Sequence, residues 1–311
     1  MRHFPAAALI VLIRFVSGTL ALVGIAPTAL RASDLLVSSE ATHSIKRFDG
    51  VSGVYKGDFV AAGSGGLLKP EGLAFGPDGN LYVSSSGSNK VLRYNGQTGA
   101  FLGVALQTSI TTPWDLHFGS DGVMYVSSSA TNRVVAFNPL TGAVARVIGA
   151  TGSMSRPDGL TLGPDGMLYV CSTNNARVLK YNPASGAFLG IYASTNLSRP
   201  NDIVFGSDNL AYVLDNSGAI NRYNGTGQFV DQWRSGAGSP GLTLGPDGRF
   251  YSSNYGEGTV KRFGTSGEGL FVLSGEGGLA NPTNMVFMVP APMSVNLALL
   301  LFLPRRRRGR C

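Results

Sequence analysis

Little in this sequence carries a formal charge: 14% of the residues are Asp, Glu, Lys or Arg, against 43% apolar. That balance excludes a self-repelling disordered chain, and 311 residues are enough to bury a large core. Cysteine is almost missing. Only Cys171 and Cys311 occur, so no disulfide framework holds the fold, and Cys171, within an apolar run, reads as a small core hydrophobe. Histidine is as scarce, with His3, His43 and His117 far apart and none in zinc-ligand spacing. A Gly-x-Ser-x-Gly nucleophile elbow is absent. No segment sustains an apolar stripe of 3.6-residue period, which excludes a helical architecture.

Glycine is plentiful instead: 43 residues, spread without a collagen period, imply many tight turns and therefore many short strands. The net charge of +7 is a matter of the ends. Arg2, Arg14 and Arg31 lie near the start and Arg305, Arg306, Arg307, Arg308 and Arg310 near the finish, leaving 17 basic residues against 18 acidic ones between them. That near neutrality, with no basic stripe along the chain, excludes nucleic acid as the expected partner.

Residues 1–32 read as a secretory signal. A short basic start (Arg2, His3) precedes a mostly apolar run from Ala6 to Ala26, and small residues follow near Ala29 to Ala32. An uncleaved anchor is the alternative, opposed by Arg14 within the apolar run. Either route puts the rest of the chain outside the cytoplasm.

The middle of the chain is repetitive. Phe75-Gly76-Pro77-Asp78-Gly79-Asn80-Leu81-Tyr82-Val83-Ser84-Ser85 recurs at Phe118 to Ser128, Leu162 to Ser172, Phe205 to Leu214 and Leu244 to Ser253. Each copy is followed by a run such as Val91-Leu92-Arg93-Tyr94-Asn95, and the period of about 42 residues is that of one four-stranded propeller blade. Asp-Gly pairs at 78, 121, 165 and 247, with Asp208-Asn209 as the fifth, sit between apolar runs where a hairpin needs a positive φ, so these aspartates are structural. The first unit, Leu35 to Phe48, lacks the strand that should precede it, and the last, Asn284 to Phe287, has that strand alone. Joined, they make a sixth blade. The expectation is an all-β, six-bladed β-propeller over residues 33–288, closed by the C-terminal strand against the N-terminal strands, which removes open sheet edges.

The core Pro70-Glu71-Gly72-Leu73-Ala74-Phe75-Gly76-Pro77-Asp78-Gly79-Asn80-Leu81-Tyr82-Val83 resembles the NHL-repeat and gluconolactonase-like six-bladed propellers, a superfamily that includes virginiamycin B lyase-like proteins. The resemblance covers nearly all of residues 34–288. It implies a fold, and the architecture hosts lactonases, lyases and binding modules alike. The histidine arrangement of the streptogramin lyases has no counterpart in this chain.

The loops that enter the innermost strands vary while the strands repeat: Pro70-Glu71-Gly72, Pro113-Trp114-Asp115, Pro157-Asp158-Gly159, Pro200-Asn201-Asp202, Ser239-Pro240-Gly241 and Pro282-Thr283-Asn284. Sixfold geometry gathers their acids and amides about one axis, a set of hard oxygens suited to Ca2+ or Mg2+ at the channel mouth. Glu71, Asp158, Asn201, Asp202 and Asn284 are the candidate metal ligands. Turn capping accounts for the same residue types. The gluconolactonase resemblance implies a divalent ion that polarises an ester carbonyl, with Glu71, Asp158 and Asn201 nearest to that family's ligands. A second loop set at the same mouth carries Asn89, Asn132 and Asn175, which with Trp114 and Asp115 are candidates for binding a polar ligand such as a sugar.

From Val289 the repeat stops. A Pro-Ala-Pro segment, a short apolar run and four consecutive arginines over residues 289–311 are similar to a PEP-CTERM sorting signal, with Ala291 where that family has Glu. The resemblance implies a bacterial surface protein, an exosortase-type processing enzyme as partner, and transient membrane contact through the tail. Two functions remain open at this point. One is an extracellular binding or scaffold module for matrix polysaccharide or a surface protein, and the other is a metal-dependent lactonase.

Overall fold

The computed structural model describes residues 33–149, 153–234, 238, 240–264, 266–267, 269–274 and 276–288. The expected export signal (1–32) and sorting tail (289–311) lie outside these residues.

Alternating apolar runs bounded by Gly, Asn and Pro become six antiparallel sheets of four strands each, arranged as a six-bladed β-propeller. Blade 1 is the composite one. Pro282–Phe287 pairs with Leu35–Ser39, in the register Leu35↔Phe287 and Val37↔Met285, so the last strand closes the ring against the first. Blades 2 to 6 follow in chain order, each with an inner strand first: Pro70–Phe75, Pro113–Phe118, Pro157–Leu162, Pro200–Phe205 and Leu242–Leu244. Inner strands of neighbouring blades touch around the axis.

The second strands, such as Leu81–Ser85 and Leu168–Ser172, are buried along their whole length, because both faces of a blade pack on other blades. Their residues therefore serve two cores alternately: Val83 packs with Leu36 and Phe59 of blade 1, while Tyr82 packs with Leu116 and Met124 of blade 3. Each such fully buried Leu or Val contributes about 2 kcal/mol. Cys171 is buried in the same way, between blades 4 and 5.

The Asp-Gly turns sit at the end of the channel away from the inner-strand entries. Gly79 N donates to Gly76 O at 2.9 Å with Gly79 at φ 73°, a type I turn followed by a left-handed residue. Four of the five turn aspartates accept from a tyrosine four residues on, as in Tyr82 Oη to Asp78 Oδ2 at 3.0 Å and Tyr212 Oη to Asp208 Oδ2 at 2.7 Å, while Tyr125 donates to Pro183 O instead of Asp121. That bond gives them the structural role expected of them.

Candidate functional site

Five inner strands open with proline, which loses no ladder hydrogen bond at a strand's first residue. Immediately after it the pairing slips. Pro70 lies opposite Ser85 and Leu73 opposite Val83, so Glu71 and Gly72 together face Ser84, and the same bulge follows Pro113 and Pro157. A bulge re-aims one side chain out of the strict alternation. Here it turns residues of the entry loops toward the axis, in two layers.

The deeper layer is an alternation of small and polar residues: Gly72, Asp115, Gly159, Asp202, Gly241 and Asn284. Each glycine makes room for the acid or amide of the next blade. A Cβ on Gly159 would stand 2.5 Å from Asp202 Cα, and one on Gly72 would stand 2.8 Å from Asp115 Cα. The three polar side chains converge. Asn284 Nδ2 donates to Asp115 Oδ1 at 3.2 Å, bypassing the intervening blade 2. Asp115 Oδ2 accepts from Leu160 N at 3.0 Å, and Asp202 Oδ2 accepts from Leu242 N at 2.7 Å, so each aspartate is tied to the following blade's backbone. Burial pushes Asp115 up to about 6. Asp202 is raised well above the carboxylate range, first by burial and then by the charge of Asp115.

The layer above holds Glu71, Trp114, Asp158, Asn201 and Thr283. Glu71 Oε1 accepts from Ser86 Oγ at 3.1 Å, while Oε2 is buried without a hydrogen bond. Burial, and then the charge of Glu40, hold Glu71 well above the carboxylate range. Asp158 is fully buried. Its Oδ2 accepts from Thr173 Oγ1 at 2.9 Å, and Oδ1 lies 3.4 Å from Arg156 Nε without a hydrogen bond. Burial raises Asp158 to about 6 despite that guanidinium. Arg156 in turn stacks over the half-buried Trp114, 5.6 Å from the ring centre. Asn201 Nδ2 donates to Asn216 Oδ1 at 3.3 Å.

The candidate metal ligands are thus divided between layers: Glu71, Asp158 and Asn201 above, Asp202 and Asn284 below with Asp115. Among the described residues no group of three or more His, Cys, Asp or Glu side chains is placed to hold a metal ion. Of the mouth carboxylates Glu71, Asp115, Asp158 and Asp202, Glu71 Oε2 and Asp158 Oδ1 are the oxygens left without hydrogen bonds.

The outer loops hold a device that sequence reading missed. Asn132 Oδ1 accepts from Arg156 N at 2.7 Å, Asn89 Oδ1 from Thr112 N at 2.7 Å and His43 Nδ1 from Lys69 N at 3.2 Å. All six residues have positive φ, between 48° and 55°. Each latch joins one blade to the backbone of the next. Asn175 turns inward along its own blade, its Nδ2 donating to Ser153 O at 3.2 Å. The repeated position of His43, Asn89 and Asn132 one residue before a strand was the available signal.

The fold so described is that of a six-bladed β-propeller, and comparison with known proteins agrees. The family described as "SMP-30/Gluconolactonase/LRE-like region" matches residues 104–213, about a third of the chain. No curated protein matches the sequence. Among solved structures, a chain of a nidogen/laminin complex superposes with a TM-score of 0.72 at 16% identity, covering 83% of this chain and 98% of that one. Virginiamycin B lyase from Staphylococcus aureus superposes at 0.57 and 22% identity, covering 70% of this chain and 77% of that one. A streptogramin B lyase gives 0.56 at 22% identity, over 70% and 76% of the two chains. At these identities the likeness is one of fold.

Proposed function

We propose that this chain is an exported binding propeller that presents its channel mouth at the cell surface or in an exopolysaccharide matrix. The observation that carries the reading is how the mouth carboxylates are engaged. Asp115 and Asp202 accept from Leu160 N and Leu242 N of the following blades, closing the ring rather than facing a substrate. Binding on such a rigid scaffold then falls to the variable loops around the mouth. The signal-like residues 1–32 support export, and the sorting-signal resemblance of 289–311 supports an exosortase-type partner and brief membrane contact.

A second reading has a specific observation in its favour. Buried Glu71 Oε2 and Asp158 Oδ1 have no hydrogen bond. A divalent ion joined to them would relieve that desolvation and favour a lactonase of the gluconolactonase kind. Metal content and calcium-dependent melting of the full chain, beside a Glu71→Gln/Asp158→Asn double variant, separate the two. Absence of a stoichiometric ion and of a calcium-linked rise in Tm supports the binding module. An ion lost in the variant, with lactone hydrolysis by the parent alone, replaces that reading with the hydrolase.

A further inference from the structure

The near neutrality of the propeller conceals a segregation. At the channel mouth every carboxylate of the two central layers is buried, as are Glu40 and Asp215 beside them. Among the described side chains the exposed acid at this end is Glu257, and it is paired with Lys261 at 3.2 Å. The cations there reach solvent, two of them while also paired with buried acids (Lys69 with Glu40 at 3.1 Å, Arg156 with Asp158 at 3.4 Å), and they fall in two arcs.

The inner arc is Lys69, Arg156 and Arg199, each directly before the proline that opens the inner strand of blades 2, 4 and 5. The outer arc is Lys90, Arg133 and Arg177, each the first residue of the third strand in blades 2, 3 and 4. Lys69 and Arg156 are 56% and 36% exposed, and Arg177 and Arg199 are exposed. Two of the inner cations are held in position. Lys69 and Arg156 adopt φ of 53° and 48°, a left-handed backbone disfavoured for such residues and doubly so before proline, and the latches from His43 and Asn132 keep them there. Backbone strain of this sort persists where the surroundings impose it, and it collects at binding sites.

We propose that this face binds an acidic polysaccharide, whose carboxylates, recurring along a chain of sugar rings, meet the two arcs of cations. The inference deepens the binding-module reading and rests on it. Duplex DNA carries one charge per about 1.7 Å of axis, and a protein that reads it lines up cations densely along a strip. Here the cations stand on separate loops, Lys69 and Lys90 in blade 2, Arg133 in blade 3, Arg156 and Arg177 in blade 4 and Arg199 in blade 5, an open array that suits a flexible polyanion better than a rigid duplex. Tyr255, 37% exposed, offers aromatic surface for a pyranose face, Trp114 being stacked under Arg156, and Asn175 stands exposed on the same loops.

The test uses the full chain with three immobilised probes: alginate as a polyuronate, dextran as a neutral polysaccharide, and a short DNA duplex. Alginate binding that weakens on raising salt from about 50 to about 200 mM is expected, with dextran unbound. The variant Lys69→Gln/Arg177→Gln/Arg199→Gln should bind alginate about tenfold more weakly with unchanged circular dichroism and Tm. Lys180→Gln/Arg249→Gln, at the opposite end of the channel, should bind as the parent does. Full alginate binding by the triple variant overturns the assignment of this face, and tighter binding of DNA overturns the assignment of the ligand. Dextran bound as well as alginate removes the charge recognition while keeping the binding module. Lactone turnover by a metal-loaded chain that binds none of the three removes both.

Discussion

Asn284 Nδ2 stands 3.2 Å from Asp115 Oδ1 across the channel, although 169 residues separate them in the chain. The contact joins the composite blade 1 to blade 3 over the glycine of blade 2. It also sets the electrostatics of the deep layer. An amide there donates to a carboxylate, where a third acid would have repelled it.

Asn284→Asp should therefore destabilise the protein near pH 7, by about 2 kcal/mol, by placing a like charge beside Asp115. Most of the loss should return near pH 5, where the pair shares a proton. Thermal melts at the two pH values, without added calcium, check it. Equal losses at both would rule out charge as the cause.

Gly159→Ala should cost about 3 kcal/mol, since the new Cβ meets Asp202 Cα at 2.5 Å and backbone has nowhere to move between packed blades. Urea unfolding of Gly159→Ala beside Gly166→Ala separates steric crowding from backbone preference. Gly166 has φ 73° and nothing within 4 Å of its would-be Cβ, so its loss reflects conformation alone.

Asn132→Ala should lose about 1–2 kcal/mol, from the latch to Arg156 N together with a left-handed φ of 54° that alanine tolerates poorly. Asn132→Gly keeps the conformation and should lose only the hydrogen bond. If the two variants melt together, the latch rather than the backbone carries the effect.

Stability should fall as pH rises through 6. Asp115 and Asp158 each titrate near 6 in the folded chain, against about 4 in a free carboxyl. A raised carboxyl binds its proton more tightly in the folded state, so its stabilisation is complete below the unfolded value and is lost as pH climbs through the folded one. Asp158→Asn should remove up to about 3 kcal/mol of that dependence between about pH 4 and pH 6. A Tm-against-pH slope identical to that of the parent would show that Asp158 does not titrate in this window.

The architecture was legible because it is written locally and repeatedly. Phe75 to Ser85 and its echoes state the strands, the Asp-Gly pairs state the hairpins, and the missing and surplus strands at the two ends state the closure seen in Leu35↔Phe287. Strand period and turn chemistry need only neighbours in sequence. The candidate residues Glu71, Asp115, Asp158, Asn201, Asp202 and Asn284 were legible as channel-mouth positions for the same reason. Their division into two layers was not. A bulge after each proline decides which side chain reaches the axis, and the alternation of Gly72, Gly159 and Gly241 with polar residues acts only between blades.

Sequence alone thus determined the blade, its number and its closure. Tertiary structure decided that Asn284 meets Asp115, that Asn89 and Asn132 spend their side-chain oxygens on the next blade's backbone, and that the carboxylates of the two central layers are buried while cations around them reach solvent. The physical reason is the same in each case. Charge and hydrogen bonding act through distances of a few ångströms, and only ring closure brings residues from different repeats within that range.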